Sequence, residues 1–203
     1  TSGVMRYYLK KAPVTTLNTV RGQLDTLKSQ GYDVIELFAP YEGPGDIWCG
    51  LGATNNYAID PSIGNMSDFT SLINEAHEKG MKVVMFGNVG YSRETAPFFL
   101  EACDAERTNA VNVPSRYWYQ FSATDPQAGL SESDPGREWF YSSRAGKYYR
   151  AAWNRKEVPS YNFNNQQWRD ECRNYLQFWA DKGVDGFALD AVSRYVGISA
   201  DIN

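Results

Sequence analysis

The most chemically pointed stretch of the chain is Gly183-Val184-Asp185-Gly186-Phe187-Ala188-Leu189-Asp190-Ala191-Val192, an apolar run that ends in a carboxylate. Strand alternation puts Gly186, Ala188 and Asp190 on one face and turns Phe187 and Leu189 to the other. A carboxylate at the C-terminal end of a parallel strand stands where α/β enzymes place their catalytic groups. The same spacing suits an Asp that caps a following helix, and spacing alone does not separate the two roles. Glu36 is a second charge inside an apolar strand, Val34-Ile35-Glu36-Leu37-Phe38-Ala39. It is expected to form a salt bridge toward a covering helix.

Other residue types narrow the chemistry. His77 is the only histidine, so a Ser-His-Asp triad or a zinc site is not supported. It falls at a helix end, where a partly cationic ring suits the last turn. Cys49, Cys103 and Cys172 lie far apart and lack metal-ligand spacing; three cysteines cannot all pair, so no disulfide framework is expected, although one pair stays open. A net charge of −4 without any basic run argues against a nucleic-acid partner. No stretch approaches the roughly 20 apolar residues of a membrane span, and none reads as a leader peptide. The compartment stays open. Aromatic residues make up 15% of the chain, which suits flat sugar-stacking surfaces and large cores alike.

The elements that must position Asp190 follow an alternating rhythm. Met5–Leu9 reads as a strand, and Thr19–Gln30 as an amphipathic helix with Val20, Leu24 and Leu27 on its apolar stripe, closed by Gly31. The second strand ends at Pro40. Residues 41–66 read as a long Gly-, Asn- and Pro-rich loop. Asp68–Lys79 is a second helix, and Lys82–Phe86 a third strand. Residues 91–161 break the rhythm as an inserted subdomain, with a helix near 95–105 and a strand-like Tyr117-Trp118-Tyr119-Gln120-Phe121. Asn165–Lys182 is a third amphipathic helix, and the strand to Asp190 follows. Alternating strands and helices predict a parallel sheet with right-handed crossovers. The expected fold is α/β, about the first four units of a (β/α)8 TIM barrel. The expected organisation is 1–90 for three strands with their helices, 91–161 for the insertion, and 162–203 for the third helix and fourth strand.

In this order the segments resemble the alpha-amylase family, glycoside hydrolase family 13. Gly31-Tyr32-Asp33-Val34-Ile35-Glu36-Leu37 is similar to its second strand. Asn56-Tyr57-Ala58-Ile59-Asp60-Pro61-Ser62-Ile63-Gly64-Asn65-Met66-Ser67-Asp68-Phe69 resembles its loop into the second helix, and Gly80-Met81-Lys82-Val83-Val84-Met85 its third strand. Pro159-Ser160-Tyr161-Asn162-Phe163-Asn164-Asn165 resembles the end of the inserted domain in oligosaccharide α-glucosidases. Asp181-Lys182-Gly183-Val184-Asp185-Gly186-Phe187 leads into the nucleophile strand.

The resemblance implies a retaining glycoside hydrolase or transglycosidase acting on α-glucosides, with Asp190 as nucleophile and an oligosaccharide or α-glucan as substrate. The family's acid/base Glu and second Asp lie on its fifth and seventh strands. They would therefore fall in a remainder of the barrel beyond residue 203. Substrate contacts are expected from Trp48 and Tyr91 as sugar platforms, from Asn55 (with Asn56) as a hydroxyl partner, and from Arg194 just past the nucleophile. For each the competing role is structural: packing under the insertion, loop backbone bonding, or a helix start. No cofactor is expected. Many family members hold a calcium ion, but this sequence has no loop of alternating Asp and Asn with Gly.

The departures from the pattern are specific. Where the family has Asp, Asn and His after its third strand, this chain has Phe86, Gly90 and Tyr91. Where it has an Arg two residues before the nucleophile, this chain has Ala188. A subsite Tyr appears as Leu51 and a nearby Asp as Asn55. Phe86 and Ala188 together are expected to replace a buried ion pair by an apolar pair. That exchange is often neutral, whereas loss of one partner alone costs about 3–5 kcal/mol. The alternative implied by these losses is a catalytically degenerate amylase-fold protein that binds carbohydrate or a partner.

Overall fold

A computed structural model describes residues 3–192 of the chain, divided into two compact units: residues 3–88 with 174–190, and residues 89–173 with 191–192. In the first unit, β1 (Gly3–Tyr8), β2 (Tyr32–Phe38), β5 (Lys82–Phe86) and β9 (Gly186–Ala188) form a four-stranded sheet in that order, every pair parallel. This is the sequential parallel order that successive β/α units build. Ile35, Leu37, Val83 and Met85 are fully buried on one face of the sheet. The other face carries Val4, Arg6 and Tyr8 from β1 and their register partners.

The expected helix over 19–30 is instead two short helices, α1 (Leu17–Gly22) and α2 (Leu24–Ser29). The break falls next to Gly22, whose missing side chain lowers its preference for a helix interior. The predicted stripe survives the break, because Leu17, Val20, Leu24 and Leu27 are all buried. Thr16 starts α1 by accepting a hydrogen bond from the Thr19 backbone N–H at 3.1 Å. The segment 41–66 is not all loop: β3 (Tyr41–Glu42) and β4 (Asn55–Ile59) pair antiparallel within it. α3 (Met66–Glu78) begins at Asn65 with a reciprocal capping box to Asp68. It buries Phe69, Leu72, Ile73 and Ala76, and Phe69 meets the Trp179 ring edge-on at 5.1 Å.

In the second unit, α4 (Pro97–Thr108) opens on a proline and closes at Asn109 in the left-handed conformation. A 3-10 turn over Pro114–Trp118 follows, then a three-stranded antiparallel sheet in the order β6 (Phe121–Ser122), β8 (Lys147–Arg150), β7 (Trp139–Ser142). The expected strand over 117–121 is divided: Tyr117 and Trp118 end this turn, whose start Pro114 fixes, while Tyr119 bridges Tyr161 and Phe121 opens β6. Phe99 packs against Tyr119 and Tyr149 with ring centres 4.9 and 5.1 Å away. Tyr161 stacks on Trp168 at 3.5 Å. α5 (Gln166–Asp181) begins in this unit and ends in the first. All three cysteines are free.

Candidate active site

The sheet face that carries Arg6, Glu36, Phe86 and Ala188 is built in layers. Register pairs Val4 with Val34 and Val34 with Lys82 in the lowest layer. Arg6, Glu36, Val84 and Gly186 are successive partners in the next. Above them lie Tyr8, Phe38, Phe86 and Ala188. In this layer the rings of Tyr8 and Phe38 are 4.8 Å apart and those of Phe38 and Phe86 are 4.6 Å apart. Side chains stacked in layers inside a sheet face are the barrel mode of packing. Phe86 and Ala188 are direct cross-strand partners, so the two family departures meet each other in space.

The layering corrects the expectation for Glu36. Its ion-pair partner is Arg6 on the neighbouring strand, 2.9 Å away, and not a covering helix. Parity is the reason: Ile35 and Leu37 occupy the helix-facing side, which leaves Glu36 on the other. The two opposite charges of this face therefore sit one layer below Phe86 and Ala188. Arg6 is half exposed, so the pair adds little to stability.

Asp190 lies two residues past the end of β9 and is exposed to solvent. Gly87 continues the β5–β9 pairing by donating its N–H to the Ala188 carbonyl at 2.9 Å. A Cβ on Gly87 would stand 2.8 Å from Leu189 Cδ2, so a side chain there would push on the residue next to Asp190. The N-terminal end of the same strand holds a different carboxylate. Asp185 accepts from the Val83 N–H at 2.8 Å and from Lys82 Nζ at 2.9 Å, with His77 Nε2 2.7 Å away. Partial burial pushes the Asp185 carboxyl up, but these donors outweigh it and hold it below its ordinary value.

The loop before α3 is anchored by Lys10, a residue the sequence reading did not single out. Its side chain is 2% exposed. Nζ donates to the carbonyls of Tyr41 and Gly43 at 2.9 Å each and stands 3.7 Å from Asp60. Asp60 in turn accepts from the Gly43 N–H at 3.0 Å and from the Ser62 hydroxyl at 2.6 Å. Burial raises the Asp60 carboxyl, and the Ser62 and Gly43 donors with the Lys10 charge more than reverse it, so it stays below its usual value. A lysine straight after an apolar strand was the available signal; its carbonyl partners 31 and 33 residues on were not visible locally.

This anchored loop presents Trp48 and Asn55. Trp48 is 42% exposed, at a left-handed φ of 42°, and Cys49 follows at 63°. Such angles in bulky residues are strained and persist only where surroundings impose them. Asn55 is exposed, and its side-chain oxygen accepts from the Tyr57 N–H at 2.9 Å. Asn56 is buried: its Oδ1 accepts from Asn88 Nδ2 at 3.2 Å, and its carbonyl accepts from the Trp179 indole at 2.8 Å.

Tyr91 belongs to the second unit, 6% exposed, with its ring edge against Trp153 at 5.1 Å. Arg194 lies outside the described residues. Among the described residues no three His, Cys, Asp or Glu side chains converge as metal ligands would. Likewise no helix among them is long and apolar enough to cross a membrane.

Comparison with known proteins places this geometry. The family model described as "Alpha amylase, catalytic domain" matches residues 10–201. Alpha-amylase 3 of Dictyoglomus thermophilum is 32% identical over 89% of this chain, and oligo-1,6-glucosidase of Parageobacillus thermoglucosidasius is 30% identical over 87%. The chain spans about a third of the length of these relatives, 33% and 31%. Among solved structures, trehalose-6-phosphate hydrolase of Bacillus licheniformis superposes with a TM-score of 0.82 at 26% identity, covering 95% of this chain and 35% of that one.

Proposed function

Because the chain belongs to the alpha-amylase catalytic-domain family, as a partial TIM barrel made of its N-terminal portion, we propose that it forms part of a retaining enzyme acting on α-glucosides. The relatives named oligo-1,6-glucosidase point to short oligosaccharides as the substrate class. Asp190 is the nucleophile. Its carboxylate attacks the anomeric carbon while an acid/base carboxyl, supplied by the remainder of the barrel, protonates the departing glycosidic oxygen. Water then cleaves the glycosyl ester and frees Asp190. Trp48 offers a flat ring to a sugar face, Asn55 an amide to a hydroxyl, and Arg194 a guanidinium beyond the nucleophile. The observation that carries this reading is the placement of Asp190: exposed, at the C-terminal end of a parallel strand, on a family-matched sheet.

The direct test is α-glucoside turnover by the full-length protein against its Asp190→Asn variant. A loss of about 10³-fold or more is expected; equal rates would remove Asp190 from the mechanism. One observation favours a second reading, a carbohydrate-binding protein that has lost catalysis. The cross-strand pair Phe86–Ala188 is apolar where the family's resemblance has Asp and Arg. Turnover by neither protein, with retained binding of α-glucan, would select it.

A further inference from the structure

The second unit carries a cleft of about 350 Å³ that the proposed catalytic residues do not use. Its volume is at the low end of small-ligand sites. The cleft lies beside the β6–β8–β7 sheet. Alternation along β7 turns Phe140 inward, 3% exposed and close to Tyr149, and turns Trp139 and Tyr141 to the other face. Trp139 is paired across the sheet with Arg150, whose N–H donates to the Gln120 carbonyl at 3.2 Å. Trp139 and Gln120 both line the cleft, with Tyr117 beside them.

Two asparagines in its wall are oriented in advance. Asn162 Oδ1 accepts from the Asn164 N–H at 3.1 Å, and Asn165 Oδ1 accepts from the Gln167 N–H at 2.8 Å. Rotating either amide would set its NH2 against a backbone N–H, so the NH2 ends are the ones left for a ligand. The charges in the lining are already engaged: Glu106 is bound by Arg116 at 2.7 Å and by Lys147, and Arg116 also donates to the Ala110 carbonyl at 2.7 Å. A wall of aromatic rings and fixed amide donors, with its charges bound to one another, suits a neutral ligand that has apolar ring faces and hydroxyl oxygens.

We propose that this cleft is a second carbohydrate site, which takes a short segment of a neutral glucan chain on Trp139 and Tyr117 and holds its hydroxyls with Gln120, Asn162 and Asn165. The choice of an α-glucan as ligand rests on the proposed function; the preference for a neutral pyranoside rests on the cleft alone.

The test is retardation of the native full-length protein in gels containing amylopectin, alongside turnover of a short aryl α-glucoside. Trp139→Ala and Gln120→Ala should each weaken retardation, the former by about 10-fold, while turnover of the short glucoside stays unchanged. Trp139→Phe, which keeps a flat ring, should retain most of the retardation. Unchanged retardation in both alanine variants, or none in the wild type, overturns the proposal. If Trp139→Ala loses its cooperative melt, Gln120→Ala and Tyr117→Ala decide. A dimer that light scattering shows falling apart in Trp139→Ala would also overturn it, since a second copy would then occupy the cleft. Retardation that falls with Trp139→Ala in a protein that turns over no α-glucoside keeps the cleft and sinks the enzymatic reading. Turnover with unmoved retardation does the reverse.

Discussion

Asp185 and Asp190 stand at opposite ends of one short strand, in different surroundings. Asp185 is tied by a backbone N–H, a lysine and the only histidine, on the side where β5 and β9 begin. Asp190 is exposed beyond the strand's other end, above a layer of aromatic rings. A carboxylate whose lone pairs are filled by fixed donors contributes to folding and cannot attack a substrate. Exposure beyond the C-terminal end of a strand is what the role proposed for Asp190 requires. The role proposed for Asp190 agrees with the usual division of a barrel strand, stability at the N-terminal side and catalysis at the C-terminal side.

The comparison breaks most sharply through Asp190→Asn. Activity on an α-glucoside should fall by about 10³-fold or more, while the melting temperature of the full-length protein falls less than in Asp185→Asn. A melting shift equal to that of an Asp185 variant would erase the distinction. Lys10→Met comes next. It removes a buried cation from Asp60 and two carbonyls, and should cost about 3 kcal/mol in denaturant unfolding. KM should rise as well, because the loop bearing Trp48 loses its anchor.

Asp185→Asn should destabilise the fold by about 1–2 kcal/mol at neutral pH, with kcat per folded molecule unchanged. Its pH dependence has a definite sign. The folded carboxyl titrates below its ordinary value of 3.8, so its contribution is complete above the unfolded pKa and is lost as pH falls through the folded one. Unfolding curves of wild type and Asp185→Asn, measured from pH 7 down to about pH 2, should converge at the acid end. A gap that stays constant over that range would contradict the donor arrangement around Asp185. The smallest effect is expected from Trp48→Ala: a rise in KM of up to about 10-fold for an oligosaccharide, with kcat nearly untouched. A drop in kcat alone would move Trp48 from binding to chemistry.

How much of this was legible from the residues depended on range. The parity that puts Gly186 and Ala188 on one face is local, and so is the apolar stripe of Val20, Leu24 and Leu27; the register of β9 and the burial of the stripe follow both. The break after Gly22 was missed because the stripe runs across it unbroken. The 3-10 turn over Pro114–Trp118 was missed because aromatic alternation imitates a strand. The salt bridge of Glu36 was expected toward a covering helix because its true partner, Arg6, is 30 residues away on a parallel neighbour, and no local pattern encodes that pairing. Trp48 and Asn55 were named from resemblance; the strained backbone that presents Trp48 comes from the anchored loop.

The amino-acid order by itself determined the strands, the helical faces, the family and the carboxylate at the end of the fourth barrel strand. These depend on side-chain periodicity and on contiguous motifs, which a linear chain displays directly. Tertiary structure alone decided which charges met: Arg6 with Glu36 one layer below Phe86 and Ala188, Lys10 with the carbonyls of Tyr41 and Gly43, and His77 and Lys82 with Asp185. Hydrogen bonds and ion pairs act over about 3 Å, and only parallel strand register and loop closure bring groups so distant in sequence within that reach.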